Sequence, residues 1–288
     1  MVLVVTMNNF ITFIILYLIL DLLFNQSYKL ATKEMKNAGA LTILIETLAA
    51  LFCLVFVPFF EIKFPTDLTI YLLLILAIIF YTINDRLGTT VRSGIEASTY
   101  NIIKQLSTVF MIIMGIFFFK EPIVIKKIIG IVFIIFSNIF VFYQKGTFKW
   151  NKYLILGIIA NLCYAIALFI DVNNSEIFNL PFYVFTTLFT PSIFIFFIEK
   201  IKFKDIIQEF QNGNKKAIIT TSLSWGTMII CMLRAYQLGK VTIVAPLTSL
   251  SVILNVIVGY LFLGEKDHLV KKIIASILII ISVILIKG

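Results

Sequence analysis

Polar and ionisable side chains set inside long apolar runs are the residues of this chain that could do chemistry. Asp21 and Asn25 stand four apart in the first run, with Tyr28 one turn further on. Asn101, Lys104, Gln105 and Thr108 fall at i, i+3, i+4 and i+7, which places them on one stripe of a helix turned toward a bundle interior. Far along the chain Thr248, Ser251 and Asn255 repeat that stripe, and Asn161 with Tyr164 marks another run. A third run closes on Tyr81-Thr82-Ile83-Asn84-Asp85-Arg86. If the runs cross a membrane, a charge at mid-depth costs at least ~2.5–3.5 kcal/mol on insertion scales, so each such group is a functional candidate. Polar faces from two sets of helices are what a central cavity for a small polar molecule needs; interhelical hydrogen bonding is the alternative use, at ~0.6 kcal/mol per contact.

The chemistry open to each group differs. Asp21 lies about a dozen residues into its run, where desolvation suits a proton-coupling carboxyl and a neighbouring Lys104 or Arg86 suits a structural ion pair. Arg86 could clamp a carboxylate or phosphate through its planar fork, or neutralise other helices together with Asp85. Tyr81 and Trp225 are related by an offset of 144 residues and could stack on a ring or cradle an organic cation, or simply face core or lipid. Glu46 is shallower and reads as snorkelling or paired with a basic neighbour, and Asp171 and Arg234, near span ends, read as snorkelling too.

Other chemistries lack their residues. The single histidine, His268, sits in a loop, and no HExxH, DxxD or Ser/His/Asp set falls at membrane depth. Cys53, Cys163 and Cys231 show no metal-binding spacing and read as small core residues. No GxxxxGK[ST] segment is present, which excludes an ATP-driven pump built from this chain alone. The expectation is a protein without cofactor or metal, and not an enzyme.

The elements that must position these groups follow from composition. Of 288 residues, 60% are hydrophobic and 14% charged, with a mean hydropathy of +1.05. That places the chain in the membrane class and excludes soluble enzyme folds. Punctuation by charge and turn residues leaves apolar stretches near 9–31, 38–60, 68–90, 96–119, 123–143, 153–175, 180–199, 216–238, 240–263 and 270–287. Each is near the ~20 residues that one helical span requires. The runs are continuous and do not alternate, which disfavours a β-barrel. The N-terminus carries no Lys or Arg before its first run and reads as the first span, not as a signal peptide. Residues 199–216 are long enough for an amphipathic turn or two.

An internal repeat organises the spans. Laid on 241–265, residues 97–121 give the identical pairs Leu106/Leu250, Ser107/Ser251, Ile113/Ile257, Gly115/Gly259, Phe118/Phe262 and Glu121/Glu265. One inserted residue later Lys126-Lys127 falls on Lys271-Lys272 and Ser137 on Ser282. The reading is an all-α integral membrane protein of ten transmembrane helices in two inverted five-helix repeats, residues 1–146 and 147–288. An odd number of spans per repeat inverts the second, the architecture of secondary transporters with a midplane site.

Phe119-Lys120-Glu121 and Leu263-Gly264-Glu265, each closing the fourth helix of a repeat before a Lys-bearing turn, resemble the EamA-type branch of the drug/metabolite transporter superfamily. Ala245-Pro246 opens the fourth helix of the second repeat; in the first repeat Asn101-Ile102 and Lys120 depart from the pattern. The resemblance implies a central cavity lined by the first, third and fourth helix of each repeat, and export across a bacterial-type inner membrane. It does not name a substrate. Asp21 against Lys104 and Arg86, with aromatics alongside, favours an amino-acid-like zwitterion moved by alternating access. A nucleotide-sugar or phosphorylated metabolite and an organic cation are the alternatives within the class, and a lipid-modifying enzyme or non-transporting scaffold outside it. Expected partners are the small-molecule substrate, the bilayer and a coupling proton, in a monomer or homodimer that binds no nucleic acid. Loops after odd-numbered helices hold 15 Lys and Arg, Arg92 and Lys272 among them, against 6 on the other side, so the positive-inside rule puts both termini outside, whereas the resemblance implies termini in the cytoplasm.

Overall fold

A computed structural model describes residues 10–119, 124–144, 147–148, 151–239, 244 and 247–287. The chain folds into helices α1 (Phe10–Ala31), α2 (Ala38–Leu54), α3 (Leu68–Gly94), α4 (Ala97–Lys104), α5 (Leu106–Phe119), α6 (Ile125–Phe142), α7 (Lys152–Asn174), α8 (Leu180–Ile198), α9 (Phe203–Asn212), α10 (Lys215–Leu238), α11 (Ser251–Val258) and α12 (Leu269–Lys287). A two-residue antiparallel ladder, Tyr143–Gln144 with Thr147–Phe148, follows α6.

The starts are written in the sequence. Asn37, Asp67, Asn151, Asn179 and Asn214 each accept a backbone N–H of the first turn of α2, α3, α7, α8 and α10. Such caps satisfy donors that the helix itself cannot. Eight helical segments are long and apolar enough to cross a membrane, and they coincide with eight of the ten expected stretches. The other two hold shorter helices. The fourth stretch is divided into α4 and α5 at Gln105, where bonding tightens to Gln105 N–H on Ile102 O and Thr108 N–H on Gln105 O. The ninth forms the shorter apolar helix Leu247–Leu263, ending in a π-turn over Gly259–Leu263. Residues 199–216 form α9, as an amphipathic surface segment. Lys120, Glu121 and Ala245-Pro246, which carried part of the resemblance, lie outside the described residues.

Packing pairs α1 with α10, α3 with α7, α2 with α8 and α6 with α12. The largest buried apolar cluster joins α1, α2, α8 and α10 around Phe24, Leu41, Ile45, Leu188 and Trp225. Isoleucines such as Ile15, Ile19, Ile75, Ile79, Ile277 and Ile281 remain exposed, as a lipid-facing surface requires. Close approach of α10 to α2 depends on Gly226, where a Cβ would stand 2.5 Å from Cys53 Sγ and 2.7 Å from the Ala49 carbonyl oxygen. Gly264, at φ 68°, turns the chain out of the π-turn in a left-handed conformation that other residues avoid.

Candidate functional site

A cavity of about 70 Å³ lies among α1, α3, α4, α7, α8 and α10. It has room for roughly five water molecules. Its wall from α3 is a stripe at helical spacing, Tyr81, Asp85, Gly88 and Arg92. α1 adds Tyr17, Phe24 and Tyr28, and α4 adds Tyr100 and Lys104. From the second half of the chain come Asn161, Tyr164 and Asp171 of α7, Thr187 and Leu188 of α8, and Trp225 with Met228 and Met232 of α10. The resemblance implied lining by the fourth helix of each repeat. Among the described residues α8 takes that place in the second half, because Asn255 of α11 is drawn behind the wall onto α1.

Arg92 is the cation at the centre of one wall. Its guanidinium carbon lies 3.7 Å from the ring centroid of Tyr100, 4.8 Å from Tyr28 and 4.9 Å from Phe24. Nη1 donates to Asn25 Oδ1 at 2.9 Å, and Asn25 in turn donates to the Asp21 carbonyl at 2.8 Å. Trp225 closes the aromatic set, 5.3 Å from Phe24 and 6.0 Å from Tyr28. No carboxylate stands within ion-pairing distance of Arg92 among the described residues. A guanidinium held by ring faces keeps its fork of donors for an incoming carboxylate or phosphate.

The sequence counted Arg92 as a loop cation near a span end. It is instead 5% exposed, inside α3. The signal was present: Arg92 extends the stripe of Tyr81 and Asp85 by two turns, beyond the point where Arg86 drew attention. Arg86 itself is turned elsewhere, with Nε on Glu199 Oε1 at 2.6 Å and Nη1 on Thr90 at 2.7 Å.

Asp171 is a second correction. Expected to snorkel, it is 3% exposed and lines the cavity, accepting the hydroxyls of Tyr81 and of Tyr183 of α8, the latter at 2.6 Å. Two phenols aimed at one carboxylate give it the partners that water would otherwise supply. Glu46 is a third: among the described residues no basic neighbour pairs with it, and it faces Asp85 from within the protein, fully buried.

The remaining expected residues divide into two groups. Tyr81, Lys104, Asn161, Tyr164 and Trp225 meet at the cavity, with Lys104 Nζ 5.7 Å from the Tyr164 ring centroid. Asp21, Asn25, Ser251 and Asn255 form an interlock behind it. Asn255 Nδ2 donates to Asp21 Oδ2 at 2.7 Å and to the Ser251 carbonyl at 2.9 Å, while Gln26 donates to Asn255 Oδ1 at 3.1 Å. Lys104 Nζ stands 4.0 Å from Asp21 Oδ1, so the two touch as an ion pair at the edge of contact. Asn101 spends its amide on Ala97 O of its own helix at 3.0 Å, Gln105 sits at the break after α4, and Thr248 is buried just ahead of α11.

Comparison with known proteins bears on this arrangement. Residues 151–288 match the model of the EamA-like transporter family. A solved protein structure with a TM-score of 0.55 and 8% identity overlays 95% of this chain and 94% of its own, which is a likeness of fold. No curated protein matches the sequence. The match falls on the half that keeps Ala245-Pro246 and Leu263-Gly264-Glu265. The second half of the chain is thus similar to the EamA-like transporter family, part of the drug/metabolite transporter superfamily, and with its apolar helices the chain is an integral, multi-pass membrane protein.

Proposed function

We propose that this EamA-like protein is a secondary carrier for a small zwitterion of amino-acid type, working by alternating access between two inverted five-helix repeats, 1–146 and 147–288. The observation that carries the substrate class is the Arg92 guanidinium, caged by Tyr100, Phe24 and Tyr28 and without an ion pair among the described residues, in a cavity that also presents Asp85 and Asp171. A substrate carboxylate takes the fork of Arg92 with Lys104 nearby. Its ammonium then lies toward the carboxyl groups and the ring faces of Tyr81, Tyr164 and Trp225.

The repeat reading is supported by the packing. α1 with α10 and α3 with α7 pair the first helix of one half with the third of the other, while α2 with α8 and α6 with α12 pair like with like. An axis that exchanges the halves would produce that pattern, and transporters of this architecture bind their substrates between the repeats. Export is the direction that the family resemblance implies.

The test is flux in proteoliposomes of the purified protein, screening amino acids, phosphorylated sugars, nucleotide sugars and quaternary amines with and without a pH gradient. Saturable exchange of an amino acid, reduced at least tenfold by Arg92→Gln, is the expected result. A phosphorylated metabolite is the second reading, favoured by two cations, Arg92 and Lys104, on one cavity. Preference for quaternary amines, indifferent to Arg92→Gln, would remove both anion-based readings.

A further inference from the structure

Glu46 is a buried ionisable group that substrate binding leaves unused. Its side chain is 0% exposed on α2, and neither carboxyl oxygen has a hydrogen-bond partner among the described residues. It faces Asp85 of α3, whose carboxyl lies within hydrogen-bonding reach and also lines the cavity. Two ionised carboxylates are acceptors only and cannot bond to each other. One proton placed between them converts the contact into a hydrogen bond and removes a like-charge repulsion in a medium of low dielectric.

The surroundings leave that proton without a competitor. Asn84 donates to Asp85 Oδ1 at 2.6 Å. Thr42 and Thr89, one turn from Glu46 and Asp85 on α2 and α3, bond to each other at 2.6 Å, and Thr89 meets the Tyr28 hydroxyl of α1 at 2.6 Å. Tyr28, Arg92 and Tyr164 of α7 are the other titratable or charged groups around the pair, and Arg92 makes no ion pair with either carboxylate: it stacks on three rings and gives Nη1 to Asn25. No group of three or more candidate metal ligands occurs among the described residues, which favours a proton over a metal ion as the occupant. Asp21 is different: Asn255 donates to its Oδ2, and Lys104 supplies a counter-charge 4.0 Å from Oδ1, which takes no hydrogen bond among the described residues.

We propose that the Glu46–Asp85 pair is the proton-binding site of this carrier and that it exchanges its proton for the cationic group of the substrate. The exchange rests on the carrier reading above; the proton site itself rests on the pair. Asp85 is the member that a substrate ammonium reaches from the cavity, with Glu46 behind it. As the ammonium arrives, the shared O–H bond breaks and the proton leaves to water as hydronium. The site then holds two carboxylates and one ammonium in place of two carboxylates and one proton, so its net charge is unchanged.

The experiment is an infrared difference titration of purified full-length protein in the protonated-carboxyl stretching region. It compares wild type with Glu46→Gln, Asp85→Asn and Asp21→Asn, each checked for native helicity. The pH-dependent carboxyl band is expected to vanish in the first two variants and to persist in Asp21→Asn. A band that survives both and is lost in Asp21→Asn overturns the proposal. Glu46→Asp keeps both carboxyls and is expected to shift the titration midpoint without abolishing it, which covers misfolding of the Gln variant. Flux of a labelled amino-acid mixture in proteoliposomes separates the two readings. Wild-type flux that ignores a pH gradient overturns the exchange while the carrier reading stands, and a titrating pair in protein that carries no amino acid overturns the zwitterion reading while the proton site stands.

Discussion

Arg92 is anchored by faces, not by a counter-charge, and this decides how substitutions act on it. Arg92→Lys keeps the positive charge but loses the planar fork and the stacking on Tyr100. Binding of a carboxylate substrate is expected to weaken roughly tenfold, within the ~0.5–2 kcal/mol of a desolvated cation–π contact. Quenching of Trp225 fluorescence reads it out, and unchanged affinity would show that the rings do not shape the site. Tyr183→Phe removes one donor from Asp171 and leaves Tyr81; a loss of about 1 kcal/mol is expected in detergent unfolding. At this scale the sequence was partly legible. Period and depth marked Tyr81, Lys104, Asn161, Tyr164 and Trp225, all of which reach the cavity. Arg92 and Asp171 were passed over because they stand near span ends, where snorkelling is the usual fate of a charge. Only the turn of α3 and α7 about their axes, set by packing, brings them inward.

For the helices, two glycines separate space from conformation. Gly226→Ala drives a Cβ against Cys53 Sγ and the Ala49 carbonyl, a main-chain atom that cannot rotate away, so a cost of about 1–3 kcal/mol is expected. Shortening Cys53 to Ala should recover only part of it. Gly264→Ala meets nothing within 4 Å yet must hold φ near 68°, at about 1–2 kcal/mol, and no neighbouring substitution should recover any. Thermal unfolding of the single and double variants decides both cases. Long helices were readable from apolar length and Asn or Asp caps, which are local properties. The break at Gln105 was not: no proline or glycine marks it, and the stripe Asn101, Lys104, Gln105 and Thr108 presumed a continuous helix. Of the four residues on one ideal face, Lys104 lines the cavity, while Asn101 bonds within its own helix and Gln105 sits at the break where bonding tightens between Ile102 and Thr108.

Across the whole molecule, one face is tied between the halves by charge. Lys272, 2% exposed on α12, pairs with Glu96 ahead of α4. Glu265 accepts the backbone N–H groups of Ala97 at 2.6 Å and Ser98 at 3.0 Å across the halves, and within the first half Lys29 donates to the carbonyls of Arg92 and Ser93. If alternating access opens this face, Glu96→Lys should slow flux severalfold and Glu96→Lys with Lys272→Glu should restore part of it. Equal loss in both would make the pair a folding contact. The same face carries the basic loops and α9, and burial of Arg92 and Lys272 removes two of the counted cations without reversing the bias. Single cysteines at Lys204 and Lys63 are therefore expected to label from the cytoplasmic and the external side respectively; the reverse would restore the family arrangement. Kinship of the halves was legible through identities such as Glu121/Glu265, but what Glu265 touches was not, since its partners lie in the other half.

That contact orders the making of the protein. Ala97 leaves the ribosome 168 residues before the carboxylate that caps it, a wait on the order of ten to thirty seconds at ordinary elongation rates. During that interval the amino end of α4 holds uncapped N–H groups near the membrane surface, and the nascent first half is open to capture by insertion factors or proteases. The start of α4 is thus completed by a residue of the second half, not by its own neighbours.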